Sequence, residues 1–212
     1  MDKNQIILNT YNKAAKQYQD KFMNMDLYHP SYDLFCKLIA KRNAEIFEIA
    51  CGPGNITNYL LKSRPDFKIV GIDFSPAMIE LAKVNNPTAT FQVMDARHID
   101  KIDKKYDAII CGFCLPYLTN EEATKLIGDA AQLLQPNGLL YISTMEDDAT
   151  KSGFEKPSFT DYGEIYINYH QADYLISIFN QHHFKIIDLK RQDYPEKDGT
   201  FSTDMIFIAQ LK

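Results

Sequence analysis

After residue 44 the chain alternates between short apolar runs and longer amphipathic stretches. The apolar runs predict strands at 45–50, 68–72, 90–94, 106–111 and 139–144, followed by two more at 184–189 and 205–211. The amphipathic stretches predict helices near 55–63, 75–85, 120–134 and 171–181. Strands joined by helical crossovers are typical of a parallel sheet with helices on both faces. We therefore predict an α/β fold built on a doubly wound, mostly parallel sheet of seven strands.

The two ends of this pattern depart from regular alternation. The residues between the last two predicted strands include Pro195 and Gly199 and show no helical period, so the last strand is predicted to run antiparallel to its neighbour. Residues 1–42 are predicted to form two helices rich in tyrosine, and residues 145–170 form a polar segment before the helix at 171. No linker or repeat divides the chain, so we predict one domain over residues 1–212.

Composition narrows the possible partners. The net charge of the 212 residues is −5, which argues against nucleic acid or an anionic membrane surface as the main partner. No apolar run approaches 18 residues, and the first ten residues lack the basic-then-apolar order of a signal peptide. We therefore expect a cytoplasmic protein that does not enter a membrane. Cys111 and Cys114 have CxxC spacing, but no second cysteine pair completes a zinc site, which favours reduced thiols.

Residues that could bind a ligand cluster where the first strands end. Gly52 and Gly54 follow the first strand, Asp73 closes the second, and Asp95 with Ala96 closes the third. Ligands of doubly wound sheets bind at the carboxyl ends of strands, and an acidic group after the second strand can accept hydrogen bonds from ribose hydroxyls. A carboxylate after the third strand can accept from an adenine amino group. The spacing therefore predicts a nucleoside site.

Glu48, inside the first strand, indicates which kind of nucleoside. A dinucleotide needs its pyrophosphate held by backbone N–H groups and a third glycine, but Thr57 occupies the third position and Pro53 has no N–H. A carboxylate beside a pyrophosphate would repel it, whereas one beside an ammonium or sulfonium group would attract it. This favours a positively charged nucleoside.

The combination resembles the class I S-adenosylmethionine-dependent methyltransferases. The shared motifs are Glu48–Gly54, with Ala50 in place of the first family glycine, then 71–78, 94–96, 106–118 and the turn at 134–139. The resemblance implies a Rossmann-like methyltransferase fold and S-adenosylmethionine as cofactor. By this resemblance Glu48 would neutralise the amino end of the cofactor, and the remaining cofactor contacts would come from Tyr18, Ala50, Gly52, Gly54, Asp73, Phe74, Met78, Asp95, Ala96 and Cys111.

The same resemblance gives expectations for the acceptor side. Residues 1–42 would form a helical lid, and residues 145–170 an insertion over the active site. Tyr11, Tyr117 and His170 are the candidate acceptor contacts. No metal site is predicted, since Asp147 and Asp148 lack a clear third ligand. No catalytic residue is assigned, because displacement at an activated methyl group chiefly needs alignment and a dry site.

The expected function is methyl transfer to oxygen, nitrogen or carbon of a small-molecule acceptor. Three alternatives stay open at this point. A nucleic-acid or protein methyltransferase is disfavoured by the acidic net charge and by Cys114 and Leu115 before Pro116-Tyr117, where enzymes that methylate exocyclic amines carry a polar residue. A nicotinamide-dependent dehydrogenase would need the missing third glycine, and a non-catalytic cofactor-binding protein would keep the same motifs.

Overall fold

The computed structural model describes residues 2–196 and 199–212. Its helices are α1 (Lys3–Phe22), α2 (His29–Leu38), α3 (Asn55–Ser63), α4 (Pro76–Asn85), α5 (Asn120–Leu133) and α6 (Ala172–Gln181). Its strands are β1 (Glu45–Ile49), β2 (Lys68–Asp73), β3 (Thr90–Val93), β4 (Tyr106–Gly112), β5 (Leu134–Glu146), β6 (Gly153–Glu155), β7 (Ile165–Ile167), β8 (Phe184–Pro195) and β9 (Phe201–Leu211). Three short 3₁₀ turns cover 96–101, 115–117 and 149–151.

Seven strands form one sheet in the order β3-β2-β1-β4-β5-β9-β8. The pairs from β3 through β5 are parallel, whereas β9 runs antiparallel to both β5 and β8. The predicted doubly wound sheet with an antiparallel last strand is therefore confirmed. The strand order reverses beside β1, so the residues that follow β1 lie at the point where ligands bind in such sheets.

Alternate residues of the central strands face two separate apolar layers. Ile46 and Ile110 pack with α2 and α3, whereas Phe47 and Ile109 pack with α5 and α6. Because both faces are covered, the strands carry nearly continuous apolar runs rather than alternating polar positions. Glu45 begins β1 at its partly exposed end, whereas Glu48 is a buried polar residue within the strand and is only 1% exposed.

The junction between α5 and β5 differs from the sequence prediction. A helix to 134 and a strand from 139 were predicted, but α5 ends at Leu133 and β5 begins at Leu134. Leu134 pairs with Tyr106, and the register then shifts before Leu139 pairs with Ala108. Pro136–Gly138, interpreted as the stop of the helix, lies inside this bulge, where Asn137 has a positive φ of 63°.

The polar segment 145–170 contains a small hairpin that the sequence pattern did not predict. Strands β6 and β7 pair antiparallel, and α1 packs against β7 on one side and α4 on the other. The hydroxyl of Thr10 donates to the carbonyl of Glu164 at 2.9 Å, which ties α1 to this segment. Among residues 2–196 and 199–212, no helix has both the length and the apolar character needed to cross a membrane.

Candidate active site

A single cleft runs along the carboxyl ends of the strands, and its volume is about 510 Å³. Its floor follows the strand order, with contributions from Asp95, Asp73, Ala50, Gly52, Phe113, Met145 and Asp204. Five strand spacings separate β3 from β9, so the cleft extends over about 24 Å at about 4.8 Å per strand. It is therefore long enough to hold a nucleoside at one end and a second molecule at the other.

The turn after β1 depends on three residues with positive φ. Ala50, Gly52 and Gly54 have φ values of 56°, 53° and 79°. A Cβ on Gly54 would meet Asn86 Nδ2 at 2.3 Å, so this glycine permits close packing of the turn on α4 and does not itself line the cleft. Gly52 does line it, and an added Cβ there would lie 3.6 Å from the ring of Tyr18.

Glu48 lies behind this turn and not among the residues that line the cleft. Its Oε2 accepts a hydrogen bond from the Thr57 hydroxyl, while Oε1 has no hydrogen-bond partner among the described residues. Burial raises the pKa of Glu48 to about 8, although the bonds from Thr57 oppose the shift. An unpaired buried carboxyl oxygen is costly, and a bound cation would lower that cost.

Asp73 closes β2 and forms the next part of the wall. Its carboxylate accepts hydrogen bonds from the backbone N–H of Gly52 and of Ser75, each at 2.9 Å. Burial raises the pKa of Asp73 to about 6 despite these bonds. The next two predicted cofactor contacts, Phe74 and Met78, also line the cleft. Met78 lies in the first turn of α4, and its backbone N–H donates to the capping hydroxyl of Ser75.

Asp95 and Ala96 line the end of the cleft, and Asp95 has a partner that sequence reasoning missed. Arg97 Nε lies 2.9 Å from Asp95 Oδ1, and its Nη2 contacts Asp95 Oδ2. Burial acts to raise the pKa of Asp95, but the hydrogen bonds and charge of Arg97 outweigh it, and the net pKa is lowered. Arg97 follows Asp95 by only two residues, which is the signal that could have identified it.

Besides Glu48 and Gly54, two more predicted contacts do not line the cleft. Cys111 is completely buried within β4, and Gly112 and Phe113, at and just beyond the carboxyl end of that strand, line the cleft in its place. His170 is 1% exposed, and its ring nitrogens contact Asn120 Oδ1 at 3.1 Å and the Leu115 carbonyl at 2.9 Å. The structure therefore does not bring His170 to the acceptor side, where it was predicted to act. Burial lowers the pKa of this histidine.

Aromatic side chains from α1 and from the 145–170 segment roof the cleft. The ring centroids of Tyr11 and Tyr18 are 5.7 Å apart, and Phe159 lies 5.3 Å from Tyr11 and 5.1 Å from Tyr18. The Tyr11 and Tyr117 hydroxyls share a hydrogen bond. Burial raises the pKa of Tyr117 to about 12, so both the donor and the acceptor of this bond are neutral at physiological pH.

The far end of the cleft contains residues that no motif indicated. The hydroxyl of Tyr28 donates to Asp204 Oδ2 at 2.7 Å, although 176 positions separate the two residues in the chain. Asp204 is 3% exposed, and burial raises its pKa to about 6. Glu155 and Glu196 also line this end. Only the sheet order, which places β9 beside β5, brings these groups together.

The remaining candidates for metal or thiol chemistry lie elsewhere. All four cysteines are free thiols and are buried. Asp147 forms an ion pair with Lys151, and Asp148 caps the 3₁₀ turn that follows it. Within the part of the chain that the structure describes, no group of three or more His, Cys, Asp or Glu side chains is arranged to hold a metal ion.

The fold and the cleft define a nucleoside-binding α/β protein of the doubly wound type. Residues 46–138 match the sequence model of the family described as "Methyltransferase domain". The trans-aconitate 2-methyltransferase of Enterobacter sp. (strain 638) is 33% identical over 113 residues, which cover 53% of this chain and 44% of that protein. The malonyl-[acyl-carrier protein] O-methyltransferase 1 of Ilyobacter polytropus is 26% identical over 219 residues, covering 100% of this chain and 77% of the relative.

A solved structure extends the match over the whole fold. The crystal structure of magnesium protoporphyrin IX methyltransferase from Synechocystis PCC 6803 with bound S-adenosylmethionine superposes with a TM-score of 0.73 at 17% identity, covering 100% of this chain and 98% of that one. Residues 46–138 are therefore similar to a methyltransferase domain, and the whole chain shares the fold of this S-adenosylmethionine-bound enzyme. It spans only 42–44% of the length of several curated relatives that it matches.

Proposed function

We propose that this protein transfers the methyl group of S-adenosylmethionine to a small-molecule acceptor held at the β4–β9 end of the cleft. The observation that carries the proposal is the glycine turn at 50–54, flanked by the buried carboxyl groups of Glu48 and Asp73. Pro53 contributes no N–H to this turn, so it is a poor cradle for a diphosphate. The same wall suits a nucleoside with a positive charge, which argues against a nicotinamide cofactor.

The residues of this end fit the cofactor one by one. Asp73 would accept hydrogen bonds from ribose hydroxyls, and Phe74 with Met78 would pack against the adenine. Asp95 and the N–H of Ala96 would meet the adenine edge. Gly52 leaves room for the amino acid part of the cofactor, because its missing side chain would point toward Tyr18. Glu48, which lies behind the turn, would attract the positively charged amino end of the cofactor.

When bound, S-adenosylmethionine supplies a methyl carbon already activated by the adjacent positive sulfur. The protein then has to align the acceptor and exclude water. The Tyr11 and Tyr117 hydroxyls, which are neutral and already hydrogen-bonded to each other, are suited to orient an acceptor and not to remove its proton. Methyl transfer to a sufficiently nucleophilic acceptor needs no further catalytic group.

The roof over the cleft supports a small acceptor and not a macromolecule. Helix α1 and the 145–170 segment both contribute side chains to the lining, and a volume of about 510 Å³ lies within the usual range for small-molecule sites. We further propose that residues 1–42 and 145–170 act as the lid of one domain. The name of the Enterobacter relative, which specifies trans-aconitate, supports a small acceptor as a class.

Isothermal titration with S-adenosylhomocysteine tests the cofactor part of the proposal. The wild-type protein should bind it, and Asp73→Asn should weaken binding by about 1–3 kcal/mol, the usual cost of losing a buried polar contact. Asp103→Asn, an exposed site before β4, is the matched control and should bind as the wild type does. Absence of binding by a folded wild-type protein would refute the proposal. Transfer of tritiated methyl into a metabolite extract then tests catalysis.

A further inference from the structure

Half of the cleft lies beyond the strands that a nucleoside would occupy. Asp95, Asp73 and Gly52 follow β3, β2 and β1, so the proposed cofactor accounts for that side of the strand order. The lining continues past β4 through Phe113 and Met145 to Asp204 at the start of β9. We call this part the acceptor half, and its side chains decide which molecule receives the methyl group.

The acceptor half is rich in carboxylates. Glu155, Glu196 and Asp204 all line it, and Asp204 is almost completely buried. Each has a neutral hydroxyl as a hydrogen-bond donor. Tyr28 bonds Asp204 at 2.7 Å, Tyr169 bonds Glu155 at 2.9 Å, and Ser202 bonds Glu196 at 2.8 Å. These bonds hold the carboxylates in place without neutralising their charge.

Basic groups are few in the same region. Among the described residues that line the cleft from Gly112 onward, Lys156 is the only lysine or arginine, and its side chain is exposed. The lining also includes His29, Lys62 of α3, and Arg97, which is paired with Asp95. The acceptor half therefore carries a net negative charge.

Aromatic rings complete this surface. Tyr28 and Phe113 pack with ring centroids 5.1 Å apart, and Tyr194, in the same group of side chains, already has Lys21 Nζ 5.6 Å from its ring centroid. Carboxylates next to aromatic faces attract cations by charge and by the ring quadrupole, and they repel carboxylate ligands. The trans-aconitate named for the Enterobacter relative is a polycarboxylate, so this half of the cleft is poorly suited to that kind of acceptor.

We propose that the acceptor is a small amine, positively charged in water, and that it is methylated on its nitrogen. This inference rests on the proposed methyltransferase function. The bound ammonium gives one proton to a carboxylate of the acceptor half. The freed lone pair forms the N–C bond to the methyl carbon, while the C–S bond breaks and its electron pair stays on sulfur. The products are the methylated ammonium ion and S-adenosylhomocysteine, and the carboxylate returns its proton to water.

Matched ligand pairs test this inference on the full-length protein saturated with S-adenosylhomocysteine. Phenethylamine and 3-phenylpropionate share a ring and chain length but differ in the sign of their charge. Putrescine and succinate form a second pair, each with four carbons and with charges of opposite sign. Isothermal titration should show each amine binding at least ten times more tightly than its carboxylate partner. Trans-aconitate should bind no better than succinate.

Variants locate the cause of that preference. The double variant Glu155→Gln with Glu196→Gln should reduce the preference of each pair to about threefold or less, while affinity for S-adenosylhomocysteine stays unchanged. Glu80→Gln makes the same chemical change on the exposed face of α4 and should leave the preference intact. Both cleft positions are only partly buried, so these variants are expected to fold, and cofactor binding verifies that they do.

The outcomes separate this inference from the function on which it rests. Failure to bind S-adenosylhomocysteine refutes the methyltransferase proposal itself. Normal binding of S-adenosylhomocysteine, combined with a preference for the carboxylates, no preference, or no binding of either pair, overturns the amine inference alone. A preference for amines that persists when Asp204→Asn is added to the double variant also overturns it, because the charge would then act from elsewhere.

Discussion

Ala50 has a backbone conformation that favours glycine. Its φ of 56° lies in the left-handed region, which costs an L-residue roughly 1–2 kcal/mol. Ala50→Gly should therefore raise the free energy of unfolding by about 1 kcal/mol, even after the greater flexibility of glycine in the unfolded chain is included. Urea denaturation of the unliganded protein measures the change.

The same substitution in a helix provides the control for Ala50→Gly. Ala131→Gly, within α5, should lower the free energy of unfolding by about 1 kcal/mol, because glycine is a poor helix former. Equal destabilisation by the two substitutions would show that Ala50 is not strained.

At the residue scale, sequence reasoning identified side chains whose position depends on local chain geometry. Asp73, Gly52 and Ala96 all line the cleft, because each lies at or within three residues of the carboxyl end of a parallel strand. Cys111 and His170 do not, because their side-chain directions depend on strand phase and on packing against 115–120. Spacing along one chain carries no information about either factor.

Two side chains of α1 hydrogen-bond to the α4 region: Gln19, which accepts from Asn85 Nδ2 at 2.8 Å, and Asn12. Asn12 Oδ1 accepts hydrogen bonds from the Ser75 hydroxyl at 2.7 Å and from the Ala77 N–H at 3.3 Å. Asn12→Ala leaves both donors without this partner, so the amides of α1 should exchange with deuterium several-fold faster. Affinity for S-adenosylhomocysteine should fall in parallel if α1 closes over the cofactor.

Lys16→Ala is the matched change on the exposed face of α1, where Lys16 pairs only with Asp20. It should leave both exchange and affinity close to those of the wild type, since exposed ion pairs contribute little. Unchanged exchange in Asn12→Ala would show that other contacts hold the helix.

At the element scale, helices and strands with a clear period were predictable, and their junctions were not. Helix α3 begins and ends at the predicted residues, and α4 begins within one residue of its prediction. The hairpin of β6 and β7 was missed because each strand has only three residues, too few to show alternation. The bulge in β5 depends on pairing with β4, which is not encoded near residues 134–139.

Glu48 should make the stability of the unliganded protein depend on pH. Burial raises its pKa to about 8 from an ordinary value near 4.5, so the folded state retains a proton that the unfolded state has released between these values. Stability from this group is fully present below about pH 4.5 and is lost as pH rises through about 8.

Comparison with Glu48→Gln isolates this effect from the other titrating groups. The variant should resemble the wild type near pH 5 and exceed it near pH 8 by at least about 1 kcal/mol, because one unit of pKa shift corresponds to about 1.4 kcal/mol. Denaturation in urea at both pH values measures the difference. A difference that does not change with pH would mean that the carboxyl group titrates normally.

At the scale of the whole molecule, the position of β9 affects how the chain folds during its synthesis. Strand β5 ends at Glu146 and β9 begins at Phe201, so at usual ribosome speeds roughly three to eleven seconds pass between their syntheses. During that time β5 has an unpaired edge, which can join other exposed edges. Newly made chains therefore depend on protection from aggregation until the final strand is inserted, whereas refolding of the complete chain lacks this delay.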